Sequence, residues 1–460
     1  MTNVVGDAEG KWIDTTGRCH DEANASAGVI QTFYETGKSY LLLGKSYESL
    51  NAFAKAVQLS TKASMLDLLL RSLDDFSIDD QGKPMAYEWL RRLLLVARAA
   101  KFPTEEAIRA VKGMASRSRK SITEPVVIVA GGCDVNVEQH MQGYVQLLLE
   151  AFRDFKGTII SGGTTEGVSG LVGHVGHKYS DAIRTIGYIP GNIPTGVSED
   201  NRYSEIRYTG GDGFSPLEPL QYWIDIIASG IPRSQIKILG IDGDAIAAAE
   251  YRIGLSLGCC VAVVEGSGGE AARLVTDDDW NTLSTLIRPP SDAMTLRAFI
   301  GVGSLKPDAD IRMTLARAIH QNYRRVRASS AQGQDPAMAE WDKLAEHLKE
   351  SNLHQADDIF EKLRQIGCTA HKVTGRDIAL MTFTEDEIEV TAEMEHGRWN
   401  VERLLNGWTW GEKRDVTKKT SPYIVPWSEL PNDVKEWDRE TVRKIPEFLA
   451  KVGVEVRRQA

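Results

Sequence analysis

The chain has 460 residues, of which 42% are hydrophobic and 26% are charged. This length exceeds what one ordinary hydrophobic core can organise, so we expect roughly two to four domains. The formal net charge of -10 argues against sequence-independent binding to DNA or RNA, because such binding requires a positive surface.

The cysteines and the apolar segments bear on the cellular compartment. The five cysteines are Cys19, Cys133, Cys259, Cys260 and Cys368, and their spacing is not that of a disulfide framework or a zinc cluster. No segment approaches the roughly 18 apolar residues that a membrane span requires, and the first residues lack the pattern of a signal peptide. We therefore expect a cytoplasmic protein with no membrane partner and no bound metal.

Residues 1–120 are predicted to be helical, because apolar residues recur there at intervals of three and four. Within this region, Leu43-Gly44-x-x-Tyr47 followed by Phe53 and Ala56 resembles one tetratricopeptide unit, in which Gly44 and Ala56 would be small where two helices pack. One unit cannot bury its own faces, so a plain helical bundle is the alternative. Helical surfaces of this kind also suggest a protein partner.

From residue 124 to residue 290 the pattern changes to strands that alternate with helices. The apolar runs predicted as buried strands are Val126–Ala130, Thr158–Ile160, Ile183–Ile189, Ile236–Ile241 and Cys260–Val264. Helical patterns lie between them, which predicts a mostly parallel sheet covered on both faces. The fold class is therefore α/β, flanked by helical regions.

Most of these strands end in a glycine-rich loop, at Gly131-Gly132, Gly162-Gly163, Gly240–Gly243 and Gly266–Gly269. The ligand crevice of an open α/β sheet lies at the carboxyl ends of its strands, and glycine allows the backbone to approach a ligand closely. The segment Ser161–Gly167 is typical of a loop whose amide groups bind phosphate. We expect the loops to line one cleft, although ordinary turns are the alternative.

Four motifs carry a family resemblance. They are Ser161-Gly162-Gly163-Thr164, Gly210-Gly211-Asp212-Gly213-Phe214-Ser215 with Glu218-Pro219-Leu220, Gly240-Ile241-Asp242-Gly243 with Glu250-Tyr251-Arg252, and Glu265-Gly266-Ser267-Gly268. Over about Glu124 to Pro290 they resemble the SLOG superfamily, in its prokaryotic branch related to the N-terminal domain of TRPM channels. The resemblance implies a Rossmann-like domain that binds nucleotides, in several relatives ADP-ribose or cyclic ADP-ribose signals.

A set of residues is predicted to contact the nucleotide. It comprises Gly131, Gly132, Gly162, Gly163, Thr164, Thr165, Gly211, Asp212, Phe214, Ser215, Gly243, Glu250 and Gly266. The amide groups of Gly162, Gly163 and Thr164 are expected to bind a phosphate or pyrophosphate. Asp212 and Glu250 are expected to bind ribose hydroxyls or to fix the loops.

An enzymatic function is the alternative to a receptor function. Other SLOG relatives cleave nucleotides and carry a Pro-Gly-Gly-x-Gly-Thr-x-x-Glu loop, from which Ser161–Gly167 departs. An enzyme that cleaves an N-glycosidic or phosphoester bond would use Glu166 or Glu250 as its acid/base carboxylate. An interaction scaffold is a third possibility.

The last third of the chain contains an internal duplication. Residues 335–367 and 421–453 align without a gap, and nine of the 33 aligned pairs are identical. Upstream, His320 corresponds to His396, and the second copy has ten additional residues between its helical parts. This predicts two homologous helical modules, at residues 295–380 and 384–460. The two histidines are expected to make equivalent structural hydrogen bonds.

The second copy closely resembles a RyR domain, the repeat of ryanodine receptors, over about Thr384 to Arg457. The motifs are Glu395-His396-x-Arg398-Trp399, Gly407-Trp408-x-Trp410-Gly411-x-x-Arg414-Asp415 and Pro426-Trp427-x-x-Leu430-Pro431. Trp408, Trp410 and Arg414 occur only in this copy and are candidates for a second ligand site, because an indole can stack a base and a guanidinium can bind phosphate. Trp399 and Trp427 are expected to fill the core.

Together, these patterns predict a cytoplasmic receptor for a nucleotide signal, with no nucleic-acid partner. We also expect a homo-oligomer. A role in prokaryotic conflict or antiviral signalling is implied by the family resemblance alone.

Overall fold

The computed structural model describes residues 28–75, 85–116, 120–132, 138–301, 307–327, 336–374 and 377–459. The chain divides into two compact units. The first unit comprises Met1–Tyr144 and Gly157–Ile287, and the second comprises Val145–Lys156 and Arg288–Ala460. The predicted N-terminal region and the predicted sheet thus share one unit, and both predicted C-terminal modules lie in the other.

The first unit begins with helices. Residues 28–42 form α1, and the next helices are α2 (Ser46–Leu59), α3 (Ala63–Asp74), α4 (Met85–Lys101) and α5 (Glu105–Lys112). Helix α4 packs against both α2 and α3, and α2 and α4 also contact helices that cover the sheet. The N-terminal helices therefore share a hydrophobic core with the sheet.

Gly44, in the turn between α1 and α2, does not have the packing role expected of it. Gly44 has a φ of 70°, and a Cβ atom added to it would meet no atom within 4 Å. The close approach of the two helices is instead at Gly37, where a Cβ atom would lie 2.5 Å from the Phe53 ring. The prediction that Gly44 is small for helix packing is wrong, because its left-handed backbone conformation is what requires glycine.

The sheet of the first unit has seven strands in the order β4-β3-β2-β1-β5-β6-β7, and all its described pairings are parallel. The strands are β1 (Val126–Gly131), β2 (Gly157–Ser161), β3 (Ile183–Pro190), β4 (Glu205–Thr209), β5 (Ile236–Ile241), β6 (Cys260–Val263) and β7 (Leu286–Ile287). The helices between them are α6 (Glu138–Ala151), α7 (Gly167–Lys178), α8 (Leu217–Ala228), α9 (Ala245–Ser256) and α10 (Gly269–Leu274). The predicted α/β, Rossmann-like fold class is confirmed.

The strand order reverses direction at the centre of the sheet. The chain moves outward from β1 to β4 and then returns to the other side of β1 with β5. Gly131 is paired with Ile241, so β1 and β5 end at the same level. The gap between the loops that follow them is a topological switch point, the place where open α/β sheets bind ligands.

Strand β4 was not predicted, because its sequence Glu-Ile-Arg-Tyr-Thr does not form an apolar run. Arg207 on this strand is only 6% exposed, and its Nη1 donates a hydrogen bond to Asp225 Oδ2 at 2.8 Å. The Tyr188 hydroxyl donates to the same oxygen at 2.7 Å, and the Ser116 amide donates to Asp225 Oδ1 at 2.7 Å. Asp225 therefore ties β3, β4 and the segment before β1 to α8.

The second unit consists mainly of helices. They are α11 (Ala293–Ile300), α12 (Ala309–Arg327), α13 (Glu346–Gln365), α14 (Glu385–Leu405), α15 (Asn432–Arg443) and α16 (Ile445–Ala450). The short strands are β8 (Cys368–Lys372), β9 (Thr409–Trp410), β10 (Thr420–Ser421) and β11 (Val454–Arg458), and β8 pairs with β11 in antiparallel orientation. The two halves of the unit share one core.

Buried charges join the two halves of the second unit. Lys362 on α13 is 2% exposed and lies 2.9 Å from the Glu395 carboxylate on α14. Arg398 also donates to Glu395 at 2.7 Å and to Glu402 at 2.7 Å. Because each of these buried charges has an opposite partner, the helices can keep them away from water.

We expect Asp225→Ala to destabilise the first unit by about 3–5 kcal/mol, because Arg207 would keep a buried charge without this partner. Native-state hydrogen exchange of the amides in β3 and α8 measures the change in opening free energy. Asp181→Ala, which removes an exposed carboxylate, is the control and should cost less than about 0.5 kcal/mol. Equal exchange in the two variants would contradict the role of Asp225.

Candidate functional site

The carboxyl ends of three strands meet around the carboxylate of Asp242, which follows β5. A Cβ atom added at Gly132, after β1, would lie 2.9 Å from Asp242 Oδ2. A Cβ atom at Gly269, the first residue of α10 after β6, would lie 2.1 Å from Asp242 Oδ1. Both positions therefore need glycine so that the backbone can pass this side chain. We call this region the Asp242 crevice.

The backbone of Asp242 is held in an uncommon conformation. Its φ is 57°, in the left-handed region, and the residue is 8% exposed. Its amide donates to Ser267 Oγ at 3.0 Å, and its carbonyl accepts from the Ala271 amide at 3.1 Å. The Tyr251 hydroxyl lies 3.0 Å from the same carbonyl and 3.2 Å from the Ala130 carbonyl on β1. Such a conformation persists only where its surroundings fix it, and it is common at functional sites.

The position of Asp242 after β5 suits nucleotide recognition. Gly132 and Asp242 directly follow the ends of adjacent strands at the topological switch point. An aspartate near such a crevice can accept hydrogen bonds from ribose hydroxyls. Tyr144 of α6 is close enough that the negative charge of Asp242 adds to burial in raising the pKa of the tyrosine. Sequence reasoning placed Asp242 in a motif but not in the site, and the Asp-Gly pair after β5 was the available signal.

The loop between β2 and α7 borders the crevice. The Val168 amide at the start of α7 donates to the Gly132 carbonyl at 3.0 Å. A Cβ atom at Gly162 would lie 2.5 Å from Ser169 Oγ, so this glycine lies against the first turn of α7. Thr164 is 4% exposed, and its hydroxyl has no hydrogen-bond partner among the described residues. A buried hydroxyl of this kind calls for a partner.

Other backbone groups of the loop between β2 and α7 already have hydrogen-bond partners elsewhere in the chain. The Thr165 amide donates to the Ser198 carbonyl at 3.1 Å, and the Gly163 carbonyl accepts from the Asp200 amide at 2.9 Å. A Cβ atom at Gly163 would lie 2.9 Å from Gly187 Cα, and the φ of Gly163 is 76°. Packing between the ends of β2 and β3 therefore explains why this position is glycine.

Four predicted contacts lie elsewhere, at the edge of the sheet. Gly211, Asp212, Phe214 and Ser215 follow β4, three strands from β1 in the sheet order, which is roughly 14 Å at the usual spacing. Asp212 is exposed and accepts a hydrogen bond from Asn192 at 2.5 Å. The Ser215 amide donates to Glu218 Oε2 at 2.7 Å at the start of α8. The structure does not bring these residues to Asp242.

Glu250 faces the helical layer. It is partly buried, and the Tyr222 hydroxyl of α8 donates to its carboxyl at 3.3 Å. Burial raises the pKa of Glu250 to about 8, and the charges of Asp244 and Glu218 add to this effect. The carboxyl group is therefore mostly protonated at neutral pH, as a general acid must be. Its contact with Tyr222 gives it a packing role as well.

The remaining predicted residues of the first unit are partly or fully exposed. Glu166 is the N-cap residue of α7 but makes no capping hydrogen bond. Gly243 has a φ of 118°, and a Cβ atom there would lie 2.5 Å from Ala247 Cβ. Gly266 is exposed with a φ of 74°, and a Cβ atom there would meet nothing within 4 Å, so a turn explains it.

The N-termini of α7 and α9 lie at the crevice and differ in whether a side chain caps them. Asp244 caps α9, since its Oδ1 accepts from the Ile246 amide at 2.9 Å and the Ala247 amide at 3.3 Å. A carboxylate already neutralises the positive end of that helix dipole. Helix α7 has no side-chain cap. A phosphate is therefore better accommodated at α7 than at α9.

The predicted ligand-site residues of the second unit lie in its second copy, where Arg403 contacts two tryptophans. Trp408 is partly exposed, Trp410 is 49% exposed and Arg414 is exposed. The Arg403 guanidinium lies between Trp399 and Trp408, with Cζ at 5.5 Å and 5.4 Å from the ring centroids. Arg403 was not among the predicted site residues, and only its spacing of four from Trp399 on a helix could have indicated the contact.

The two halves of the second unit have matching internal contacts. His320 Nε2 lies 2.9 Å from the Ala339 carbonyl, and His396 Nε2 lies 2.9 Å from the Val425 carbonyl. Ala339 and Val425 are equivalent in the gapless alignment. The predicted structural role of both histidines is confirmed. Trp427 is 6% exposed, as expected of a core residue, whereas Trp399 is only partly buried.

Metal ligands and membrane-spanning helices are the other features that bear on function. Among the residues that the structure describes, no group of three His, Cys, Asp or Glu side chains could hold a metal ion. No helix in the described ranges is long and apolar enough to cross a membrane. Cys259, Cys260 and Cys368 are free thiols, and Cys19 and Cys133 lie outside the described residues.

The family model of the RyR domain matches residues 373–458. The matched segment contains α14, α15, α16 and β11. It also contains residues 406–421, which follow α14 and carry β9 and β10, and which we call the insert. It therefore includes Arg403, Trp408 and Arg414. The RyR resemblance of the second copy is confirmed.

The pKa of Glu250 predicts a pH-dependent effect of Glu250→Gln. A glutamate in an unfolded chain ionises near pH 4.3, whereas Glu250 in the folded chain ionises near pH 8. Between these values the folded chain binds the additional proton, so this residue lowers stability as the pH rises. The variant should therefore melt at a higher temperature than the wild type, by a margin that grows up to about pH 8.

Thermal unfolding between pH 4 and pH 9 measures this margin, which should approach a few kcal/mol at about 1.4 kcal/mol per pKa unit. The exposed Glu48 is the matched control, and Glu48→Gln should show no such trend. A margin for Glu250→Gln that does not change with pH would mean that the carboxyl is already ionised in the folded chain.

Proposed function

We propose that the chain is a receptor for a nucleotide signal of the ADP-ribose or cyclic ADP-ribose type, bound in the Asp242 crevice. The observation that carries the proposal is the left-handed Asp242 at the topological switch point, with Gly132 and Gly269 against its carboxylate. Strand ends at such a point are where α/β sheets bind nucleotides. The resemblance of residues 124–290 to the SLOG superfamily supports the same class of ligand.

In this proposal the crevice divides recognition between two groups. Asp242 accepts hydrogen bonds from ribose hydroxyls. The N-terminus of α7, which has no side-chain cap, accepts a phosphate beside the buried Thr164 hydroxyl that lacks a partner among the described residues. The Val168 amide of this turn already donates to the Gly132 carbonyl, so other amides of the turn would donate to the phosphate. Gly131 and Gly132 keep the ends of β1 and β5 close together, since a Cβ atom at Gly131 would lie 2.0 Å from the Ile241 carbonyl oxygen.

The second unit is proposed to carry two copies of the RyR fold. Residues 295–380 form a divergent copy of the module that residues 384–460 represent. The equivalent histidine contacts and the pairing of β8 with β11 support this interpretation. We further propose that the receptor forms a homo-oligomer in the cytoplasm and acts in prokaryotic antiviral signalling, which rests on family resemblance.

A nucleotide-cleaving enzyme is the second candidate, and the protonated state of Glu250 at neutral pH is the observation that favours it. Incubation of the protein with NAD, ADP-ribose and cyclic ADP-ribose separates the two functions. Product formation that Glu250→Gln or Glu166→Gln abolishes identifies an enzyme. Binding without product identifies a receptor, and failure of every nucleotide to bind identifies a scaffold.

Asp242→Asn should weaken ADP-ribose binding at least tenfold, because each hydrogen bond to a charged group contributes about 1.5–3 kcal/mol. Isothermal titration calorimetry of the full chain with ADP-ribose and its cyclic form measures the change. Asp212→Asn is the control, since Asp212 is an exposed aspartate at the sheet edge, and it should leave the affinity unchanged. Loss of binding in Asp212→Asn but not in Asp242→Asn would move the site to the edge.

A further inference from the structure

Arg403 on α14 is an arginine held between two aromatic rings. Its Cζ lies 5.5 Å from the Trp399 centroid and 5.4 Å from the Trp408 centroid. Trp399 is itself stacked on His396, with a centroid distance of 5.9 Å and an interplanar angle of 17°. Indoles attract a guanidinium through the negative charge of their faces, so the two rings fix the orientation of this cation.

The positive charge of Arg403 has no counter-charge within hydrogen-bonding distance. Its Nε is buried without a hydrogen-bond partner, and its guanidinium makes no ion pair with the described residues. The carboxylate of the adjacent Glu402 is bound to Arg398 at 2.7 Å and to the Ser351 hydroxyl at 2.8 Å. An arginine does not lose its proton in proteins, so the charge remains and needs an anion.

Other arginines stacked on tryptophans in this unit are paired. Arg439 lies 5.8 Å from the Trp427 centroid and bonds to Glu389 at 2.7 Å. Arg317 lies 5.3 Å from the Trp341 centroid and 3.7 Å from the Asp342 carboxylate. Stacking alone is thus a recurrent packing feature here. What distinguishes Arg403 from these two is the absence of a carboxylate partner.

A second cation lies near Arg403. Arg414 in the insert is exposed and makes no hydrogen bond or ion pair with the described part of the chain. Burial lowers the pKa of Arg403, the charge of Glu402 raises it, and the charges of Arg398 and Arg414 lower it, so Arg414 lies close enough for its charge to act on Arg403. Two unpaired guanidinium groups close together repel each other. An anion bound between them would remove this repulsion.

We propose that Arg403, Arg414 and Trp408 form a binding site for a phosphate group of a small molecule, separate from the Asp242 crevice. Guanidinium groups bind phosphate through paired N–H donors, and a phosphate that carries two negative charges matches two arginines. Trp410, 49% exposed in the same insert, offers an indole face for a ring attached to the phosphate.

Titration of the full chain with inorganic pyrophosphate at constant ionic strength tests the site. Calorimetry should detect binding to the wild type, and Arg414→Gln should weaken it at least tenfold. Arg414 is exposed and makes no contact that folding needs, so this variant should stay folded. Arg403→Gln should abolish binding, and Arg403→Lys should restore little of it, because lysine lacks the planar fork.

Arg317→Gln is the matched control, because Arg317 is also stacked on a tryptophan but has a carboxylate neighbour. It should leave pyrophosphate affinity unchanged.

Two results would overturn the proposal. The first is that pyrophosphate does not bind, or binds Arg414→Gln and Arg317→Gln equally well. The second is that citrate binds more tightly than pyrophosphate, since the site would then be selective for carboxylates.

Discussion

The hydroxyl group of Tyr251 joins the two central strands at the place where the sheet reverses direction. It lies within hydrogen-bonding distance of the Ala130 carbonyl on β1 and the Asp242 carbonyl after β5. Together with Ser267 and Ala271 it holds Asp242 in a left-handed conformation that an aspartate adopts at some cost. The crevice depends on this constraint, because a relaxed Asp242 would not meet the glycines of the neighbouring loops.

The second unit handles charge differently in its interior and at its surface. In the interior, the carboxylates of Glu395 and Glu402 neutralise Lys362 and Arg398, so the buried charges hold α13 and α14 together. At the insert of the RyR domain, Arg403 is stacked between two indoles and Arg414 is exposed, and neither has a counter-charge among the described residues.

Sequence patterns predicted the buried strands well, because the faces of a parallel sheet are both covered and its strands are continuous apolar runs. They failed for β4, where the buried Arg207 interrupts the run and depends on Asp225, a partner far along the chain. The glycine loops indicated the edge of the sheet at which Asp242 lies. They did not reveal that Gly163 packs against Gly187 or that Glu250 faces Tyr222. The proposed role of Asp242 rests on its backbone conformation, which no residue pattern specifies.

Hydrogen–deuterium exchange of the full chain with and without ADP-ribose tests the central claim most directly. Binding in the crevice should slow exchange of the amides that follow β1, β5 and β6, in residues 131–132, 241–244 and 265–271. The amides at the start of α7 should also be protected. Protection confined to the RyR domain at residues 373–458, or exchange that ADP-ribose does not change anywhere, would contradict the account.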